Sequence, residues 1–171
     1  MKSNISHNIK KRESPNDKFY TPLSLVSIHL DLVKEYVNHD DVILEPFYGS
    51  GNYYNSFDKV FTKNTFEFTE IDLGLDFFEY SKNVDVIISN PPYSCIDKVL
   101  EKSVELNPHT ISYLIGINNL TAKRIEFMNK HGYNLSKLHV TKVFKWYGMS
   151  AIVVFTKSTN NCVSYDRIVH K

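Results

Sequence analysis

An apolar run that ends in Ser-Asn-Pro-Pro-Tyr constrains this chain more than any other stretch. Residues 84–89 are typical of a buried strand, and Pro91 forces the preceding Asn90 out of the helical region. Neither Pro91 nor Pro92 has an N–H to donate, so the strand must stop there. The stretch therefore predicts a rigid corner that presents an amide side chain, carbonyl oxygens and the ring of Tyr93. Such a corner suits a planar amine, whose N–H groups need acceptors and whose base can stack on a ring. The simpler interpretation is an ordinary turn.

A second stretch predicts a cradle for a nucleotide-like ligand. A strand over residues 41–44 continues into Glu45-Pro46-Phe47-Tyr48-Gly49-Ser50-Gly51. An acid and a Gly-x-Gly turn before a helix are typical of nucleotide sites, although Gly-x-Gly alone is a weak signal. Gly49 and Gly51 let the backbone approach a ligand closely. Phe47 offers an aromatic face to a cation.

The next strand, over residues 64–69, ends in a second acid. Glu70 at a strand tip is placed to accept hydrogen bonds from a ribose diol, with Asp72 as the second choice. Only five residues separate Glu70 from Asp76. A normal crossover helix does not fit there, so we expect a rudimentary third strand.

Taken in order, these stretches resemble the motifs of AdoMet-dependent amino-methyltransferases, above all the DNA N6-adenine methyltransferases. Residues 90–93 resemble motif IV, residues 45–51 motif I, the aromatic-Thr-Pro segment at 19–22 motif X, and Asp76-Phe77 motif III. The resemblance covers residues 17–157. It implies an α/β, Rossmann-like methyltransferase fold, with a mostly parallel seven-stranded sheet, helices on both faces and an antiparallel last strand.

The resemblance also implies a function and a set of site residues. The expected reaction is methyl transfer from S-adenosyl-L-methionine (AdoMet) to the N6 amine of adenine in nucleic acid, DNA first. The catalytic residues are then Asn90, Pro91, Pro92 and Tyr93. The cofactor residues are Phe19, Tyr20, Thr21, Pro22, Glu45, Pro46, Phe47, Gly49, Gly51, Glu70, Ile71, Asp76, Phe77 and Asn90. The substrate residues are Tyr93, Phe144, Trp146 and Tyr147.

The remaining helices and strands follow from periodicity and caps. Thr21 is the predicted N-cap of a helix with Pro22 at its first position, and apolar spacing extends that helix to about Val37. Further helices are predicted over residues 96–106 and 123–131. Further strands are predicted over residues 109–117, 138–144 and 151–156, with the last two forming a hairpin.

Charge divides the chain into parts of opposite sign, although the net charge is only +1. Residues 21–119 hold six Lys/Arg and fifteen Asp/Glu, whereas residues 120–171 hold nine and two. The basic third is suited to meet phosphates or is simply a solvated surface. We predict a flexible basic arm over residues 1–16, a catalytic domain over 17–157 and a polar tail over 158–171.

Several classes of site are not expected. Cys95 and Cys162 form neither a metal pattern nor a disulfide framework, and the seven histidines show no metal-ligand spacing, so no metal is predicted. No apolar run is long enough to span a membrane and no secretory signal is visible, so we expect a cytoplasmic protein in a reducing compartment.

Three functions stay open. Besides nucleic-acid adenine methylation, of DNA or RNA, the Asn-Pro-Pro-Tyr corner is shared with protein N5-glutamine methyltransferases, which usually carry an N-terminal substrate domain. A non-catalytic methyltransferase-like subunit is the third. Family members usually carry a target-recognition domain, but the chain between Asp76 and Asn90 and after Thr156 is short. We therefore expect low specificity, or a partner subunit or dimer that supplies target recognition.

Overall fold

A single mixed sheet organises the structure, a computed structural model that describes residues 20–143, 148–159 and 163–165. Its strands run in the order β2-β1-β3-β4-β6-β5, with β1 to β4 parallel and β6 antiparallel to both of its neighbours. This confirms the predicted Rossmann-like methyltransferase class and the antiparallel last strand. The six strands of the described residues are β1 Val42–Glu45, β2 Thr65–Phe68, β3 Val86–Ser89, β4 Thr110–Gly116, β5 Asn134–Thr141 and β6 Ser150–Thr156.

Four helices of the described residues cover the two faces of the sheet: α1 Leu23–Val33, α2 Tyr54–Phe57, α3 Ile96–Glu105 and α4 Ala122–Lys130. Successive strand residues point to opposite faces, so each strand can pack against helices on both sides. Ile43, Val86 and Ile88 pack into one apolar cluster with α1 and α2, whereas Leu44 and Ile87 pack into another with α3 and α4. Near-continuous apolar strands are what a parallel sheet covered on both faces requires.

The expected seventh strand is absent from the described residues, and that part of the prediction was wrong. After β2 the chain makes two short 3-10 turns, Ile71–Leu73 and Phe77–Glu79, and a single bridge between Glu70 and Leu75. The few residues available cannot form a crossover helix and a strand. This segment stands where the short spacing predicted a rudimentary third strand, and it leaves β2 at the edge of the sheet.

The start of α1 also differs from the prediction. Pro22, not Thr21, occupies the N-cap position, and its carbonyl accepts from the N–H groups of Leu25 and Val26. Thr21 is therefore not the cap. Its hydroxyl is instead used in a contact with the corner after β3, described below. A 3-10 turn over Lys34–Tyr36 follows α1.

Smaller differences concern the ends of elements. The strand β5 begins at Asn134 rather than Leu138, and β3 begins at Val86 rather than at residue 84. Within the described ranges, no helix has the length and apolarity needed to cross a membrane, and no three His, Cys, Asp or Glu side chains group as metal ligands. The described residues do not include the predicted arm, most of the predicted tail, or the predicted site residues Phe19, Phe144, Trp146 and Tyr147.

Candidate active site

The two main predicted motifs lie beside the topological switch point of the sheet, where successive crossovers leave in opposite directions. The chain passes from β1 to β2 on one side and from β3 to β4 on the other, and β1 and β3 are parallel neighbours. Glu45 is the last residue of β1, and Asn90 directly follows β3. Ligands of open α/β sheets bind at such switch points, outside the carboxyl ends of the strands. The topology thus brings the two main motifs to one edge of the sheet.

A tight turn after β1 forms the floor of this edge. Gly49 and Gly51 have left-handed backbones, with φ of 52° and 76°, and the Gly51 N–H donates to the Tyr48 carbonyl over 2.7 Å. A Cβ at Gly51 would lie 2.6 Å from the Tyr48 ring, and one at Gly49 would lie 3.3 Å from the Tyr20 ring. Both positions therefore require glycine on conformational grounds, and the turn is too crowded for added side chains.

The acid at the end of β2 is bonded directly to this turn. Glu70 Oε2 accepts from the Gly49 N–H over 2.7 Å, and Oε1 accepts from the Asp72 N–H over 3.2 Å. Asp76 Oδ1 similarly accepts from the Phe78 N–H over 2.8 Å. Because each carboxylate oxygen has a second lone pair, these side chains can anchor the turns and still accept from a ligand. Ile71 is exposed beside Glu70.

Glu45 lies deeper than Glu70. Its side chain is 1% exposed, and Oε2 accepts from the Tyr54 N–H over 2.8 Å. Burial raises the pKa of the Glu45 carboxyl to about 9, the Tyr54 N–H opposes that shift, and the negative charge of Glu70 adds to it. At neutral pH the carboxyl is therefore protonated. A cationic group placed beside it would favour the ionised form.

The corner after β3 is held by a side chain from the start of the described chain. Asn90 Nδ2 donates to Thr21 Oγ1 over 3.1 Å, and the Thr21 carbonyl accepts from Asn52 Nδ2 over 2.8 Å. Thr21 is 4% exposed. The 20–22 segment is thereby bonded to the corner and to the residue after the glycine turn. With its amide nitrogen directed to Thr21, Asn90 has its amide oxygen as the atom that can accept from an amine.

The two prolines lead from this corner into α3. Pro91 is buried, and the Pro92 carbonyl accepts from the Cys95 N–H at 3.4 Å and from its thiol at 3.6 Å. These contacts close the 3-10 turn Tyr93–Cys95, which runs directly into α3. Tyr93 is half-buried and packs against the apolar cluster beneath α3.

The aromatic residues of the predicted cofactor site differ in depth. Phe47, after Pro46, is half-buried, and its ring meets that of Phe77 edge-on, with centroids 5.3 Å apart. Phe77 is 2% exposed and belongs to the core. It therefore supports Phe47 from below, and its assignment to the adenine ring of a cofactor stays a prediction.

Two residues of this edge were missed by sequence reasoning. Asn52 anchors the Thr21 carbonyl, and its position directly after Gly-x-Gly was the only signal that could have found it. Ser89, the last residue of β3, has a buried hydroxyl with no hydrogen-bond partner among the described residues. A buried hydroxyl of that kind is unusual in folded proteins, and it lies immediately before the corner.

Comparison with known proteins identifies the fold but not a family. No protein-family model and no curated protein sequence matches the chain. Its structure is similar to a chain of the E. cuniculi Mtq2–Trm112 complex, which methylates the termination factor eRF1. The two chains share 17% identity with a TM-score of 0.64, and the match covers 82% of this chain and 99% of that chain. It is also similar to PH1948 of Pyrococcus horikoshii, assigned as an RNA methyltransferase, with 16% identity, a TM-score of 0.63, and coverage of 81% and 87%.

A methyltransferase from Pyrococcus furiosus gives the same result, with 21% identity, a TM-score of 0.60, and coverage of 90% and 96%. Matching structures also include TYW2 of M. jannaschii, solved with AdoMet bound, and a methyltransferase of Burkholderia thailandensis solved with S-adenosylhomocysteine bound. At these identities the likeness establishes the Rossmann-like methyltransferase fold. Because the matched proteins act on RNA, protein and small molecules, the substrate of this chain has to be argued from its own site.

Proposed function

We propose that this protein transfers a methyl group from AdoMet to the N6 amine of adenine in nucleic acid, with DNA as the first candidate. The observation that carries the proposal is the placement of Asn90. Its amide nitrogen is held by Thr21, and the corner lies beside the glycine turn after Glu45 at the switch point of the sheet. An amine acceptor and a nucleotide cradle thus share one edge.

The residues at the strand tips fit AdoMet by their chemistry. Glu45 is a buried acid that an ammonium group would ionise, and Glu70 has acceptor oxygens suited to a ribose diol. Gly49 has no side chain, so a ligand can approach its backbone closely. The exposed ring of Tyr20 lies beside this glycine and could contact the same ligand. When bound, AdoMet supplies a methyl group activated by its sulfonium.

The corner supplies what the target amine lacks. The lone pair of adenine N6 is delocalised into the ring, so the amine is a poor nucleophile. The Asn90 amide oxygen and the Pro91 carbonyl accept its two hydrogens and favour a pyramidal nitrogen, while Tyr93 stacks on the base. The nitrogen becomes acidic as it gains the methyl group and positive charge, so its proton can pass to water without a dedicated base.

A base in a duplex must leave its stack to reach this corner. We propose that Phe144, Trp146 and Tyr147, in the connection between β5 and β6, enclose the extruded base. The last residue of β5, Thr141, pairs with the first residue of β6, Ser150, which in turn pairs with Gly116 at the end of β4, so these strand ends lie at the same edge of the sheet as the corner. Aromatic side chains suit a base of either nucleic acid because every base has a π-face.

Methylation of a protein is the second candidate. The expectation that protein-directed relatives need an additional substrate domain weakens here, because this chain matches 99% of the Mtq2–Trm112 chain to which it is similar. A glutamine side-chain amide is also planar and carries two hydrogens, so the same corner could accept it.

Target recognition is proposed to come from a partner subunit or a second copy. Between Phe77 and Asn90 the chain forms one 3-10 turn and the short strand β3, which is too little for a recognition domain. One of the structures similar to this one, Mtq2–Trm112, is a complex with a partner subunit.

One experiment separates these candidates. The protein is incubated with methyl-labelled AdoMet and, in parallel, with undermethylated DNA, RNA and a protein extract. We expect label in DNA that disappears in Asn90→Ala. Label confined to RNA or to protein would replace the substrate assignment, and no label in any arm would favour a non-catalytic subunit.

A further inference from the structure

A row of buried and partly buried hydrogen bonds ends at Asn90. His29 on α1 contacts Tyr53 Oη through Nδ1 over 2.7 Å and Ser112 Oγ on β4 through Nε2 over 2.7 Å. Tyr53 in turn is hydrogen-bonded to the hydroxyl of Thr21. Thr21 Oγ1 then accepts from Asn90 Nδ2. The row therefore joins α1, β4 and the start of α2 to the corner that we propose binds the target amine.

The far end of this row fixes the direction of its hydrogens. The Ser112 hydroxyl donates to the Val153 carbonyl over 3.1 Å, and a carbonyl can only accept. With its one hydrogen used there, Ser112 must accept from His29, which places the imidazole hydrogen on Nε2. His29 Nδ1 then accepts from the Tyr53 hydroxyl.

The same logic continues to the corner. Tyr53, having donated to His29, accepts from the hydroxyl of Thr21. Thr21, having donated to Tyr53, can only accept from Asn90, and an amide donates through nitrogen and not oxygen. Each group therefore has one role, and the row as a whole has one consistent orientation.

We infer that Thr21, Tyr53 and His29 are positioning residues that hold the Asn90 amide with its nitrogen bonded to Thr21, so that its oxygen, buried in this structure, is the atom left to accept from the substrate amine. This rests on the proposed function of Asn90 as the acceptor of the target amine. The two ends of a side-chain amide are nearly equal in shape. Without the row, the Asn90 amide could rotate by half a turn and present its N–H groups to an amine that needs an acceptor. Pre-organisation of that kind costs nothing at the moment of reaction.

Burial keeps the row in one protonation state. His29 is fully buried, and burial lowers the pKa of its imidazole to about 3. Burial also raises the pKa of the Tyr53 hydroxyl well above its usual value. Both groups are neutral near pH 7, so the donors and acceptors named above do not change across the neutral range.

The tautomer of His29 tests the row without any substrate. In ¹⁵N-labelled protein, long-range proton–nitrogen correlation spectra distinguish an imidazole hydrogen on Nε2 from one on Nδ1. We expect His29 to carry its hydrogen on Nε2. The His29 signals are assigned by their absence from the spectrum of His29→Gln. The Nδ1–H form would reverse the row and overturn the inference, whatever the protein methylates.

Kinetics test the effect on Asn90, with a matched control. Tyr53→Phe removes the hydroxyl that links His29 to Thr21. Tyr113→Phe removes an equally buried hydroxyl that bonds to Ser103 at 2.7 Å and has no place in the row. We expect about a tenfold fall in kcat for Tyr53→Phe with unchanged AdoMet affinity, and little change for Tyr113→Phe at comparable loss of stability.

The double variant decides whether Tyr53 acts through Asn90. In an Asn90→Ala background, Tyr53→Phe should cost nothing further in kcat, because the group that it positions is gone. Equal losses in both backgrounds would overturn the inference. If no methyl transfer occurs at all, the proposed function fails, and the row is then tested by the NMR resonances of the Asn90 side-chain amide. A shift of these resonances in Tyr53→Phe but not in Tyr113→Phe supports the row. No shift in either variant refutes it.

Discussion

The candidate site at the carboxyl ends of the strands has two halves, and each half is held by a different kind of hydrogen bond. On the proposed cofactor half, Glu45 accepts from the first backbone N–H of α2, and Glu70 and Asp76 accept from backbone N–H groups of turns. On the substrate half, side chains bond to side chains that are distant in sequence, as Asn90 does to Thr21, 69 residues away. The first half is therefore a set of turns anchored by acids, and the second is a corner that depends on the packing of the whole domain.

This difference predicts a division of labour. Changes on the proposed cofactor half should act mainly on AdoMet affinity, because we propose that the anchored acids and the glycine turn contact that ligand. Changes on the substrate half should act mainly on turnover, because they misplace the group that accepts the amine. The predictions below are arranged to break that division, from the largest effect to the smallest.

The largest effect is expected at Asn90. Asn90→Ala removes the acceptor, so turnover should fall about a hundredfold or more while AdoMet affinity stays nearly unchanged. Asn90→Asp keeps an oxygen but adds a charge and can no longer donate to Thr21. It should therefore also lose turnover. Single-turnover rates and calorimetric AdoMet titrations measure the two quantities, and a large loss of AdoMet affinity in Asn90→Ala would end the division.

Tyr93 is expected to follow Asn90 in size. If the ring stacks on the base, Tyr93→Ala should lower kcat/KM by about tenfold or more, since stacking contributes roughly 1–3 kcal/mol per base. Tyr93→Phe keeps the ring and should be mild. Steady-state kinetics on one substrate compare the pair, and equal losses would assign the role to the hydroxyl instead.

Glu70 should show the opposite pattern. Glu70→Ala removes acceptors for a ribose and the anchor of the Gly49 N–H, so AdoMet affinity should weaken by about tenfold. Asp58→Ala removes an exposed acid after α2 and serves as the charge-matched control. Calorimetry provides both values. AdoMet binding by Glu70→Ala as tight as that of the parent would refute the ribose assignment.

Glu45 should make stability depend on pH. Burial raises the pKa of the Glu45 carboxyl in the folded state from its ordinary value of 4.5 to about 9, so the folded state binds an extra proton between these two pH values. The contribution of Glu45 to the free energy of unfolding should thus be greatest below about pH 4.5 and should decline as the pH rises toward 9. Glu45→Gln mimics the protonated form, so its Tm should exceed that of the parent by a margin that widens from pH 5 to 9. A constant margin would contradict the raised pKa.

The smallest effect concerns the basic third of the chain. Lys142, exposed just after β5, should contribute one phosphate contact if that surface meets DNA. Lys142→Ala should then reduce the slope of log affinity against log salt by about one, whereas Lys59→Ala, an exposed lysine after α2, should not. Fluorescence anisotropy at several salt concentrations measures both slopes, and salt-insensitive binding would point to a protein substrate.

The same contrast explains what the sequence could and could not predict. The corner at Asn90, the turn at Gly49 and the acid at Glu70 follow from local patterns, because strands, prolines and glycines impose their geometry on neighbouring residues. The fold class was implied by the resemblance of these patterns, taken in order, to methyltransferase motifs. The seventh strand was expected from the resemblance, although the short spacing after Glu70 already indicated a rudimentary element.

Long-range side-chain contacts could not be predicted. Thr21 was expected to cap α1, because a Thr before Pro is a common start of a helix. The structure uses its hydroxyl for Asn90, a choice that depends on how β3 and α1 pack together. His29 gave no signal in the sequence, since its partners Tyr53 and Ser112 lie 24 and 83 residues away.

The identity of the methylated atom tests the central claim most directly. The parent protein and Asn90→Ala are each incubated with undermethylated DNA and AdoMet that carries a deuterated methyl group, and the digested nucleosides are analysed by mass spectrometry. We predict deuterated N6-methyladenine from the parent and almost none from Asn90→Ala. Label on another nucleoside, label only in protein, or equal N6-methyladenine from both proteins would contradict the account.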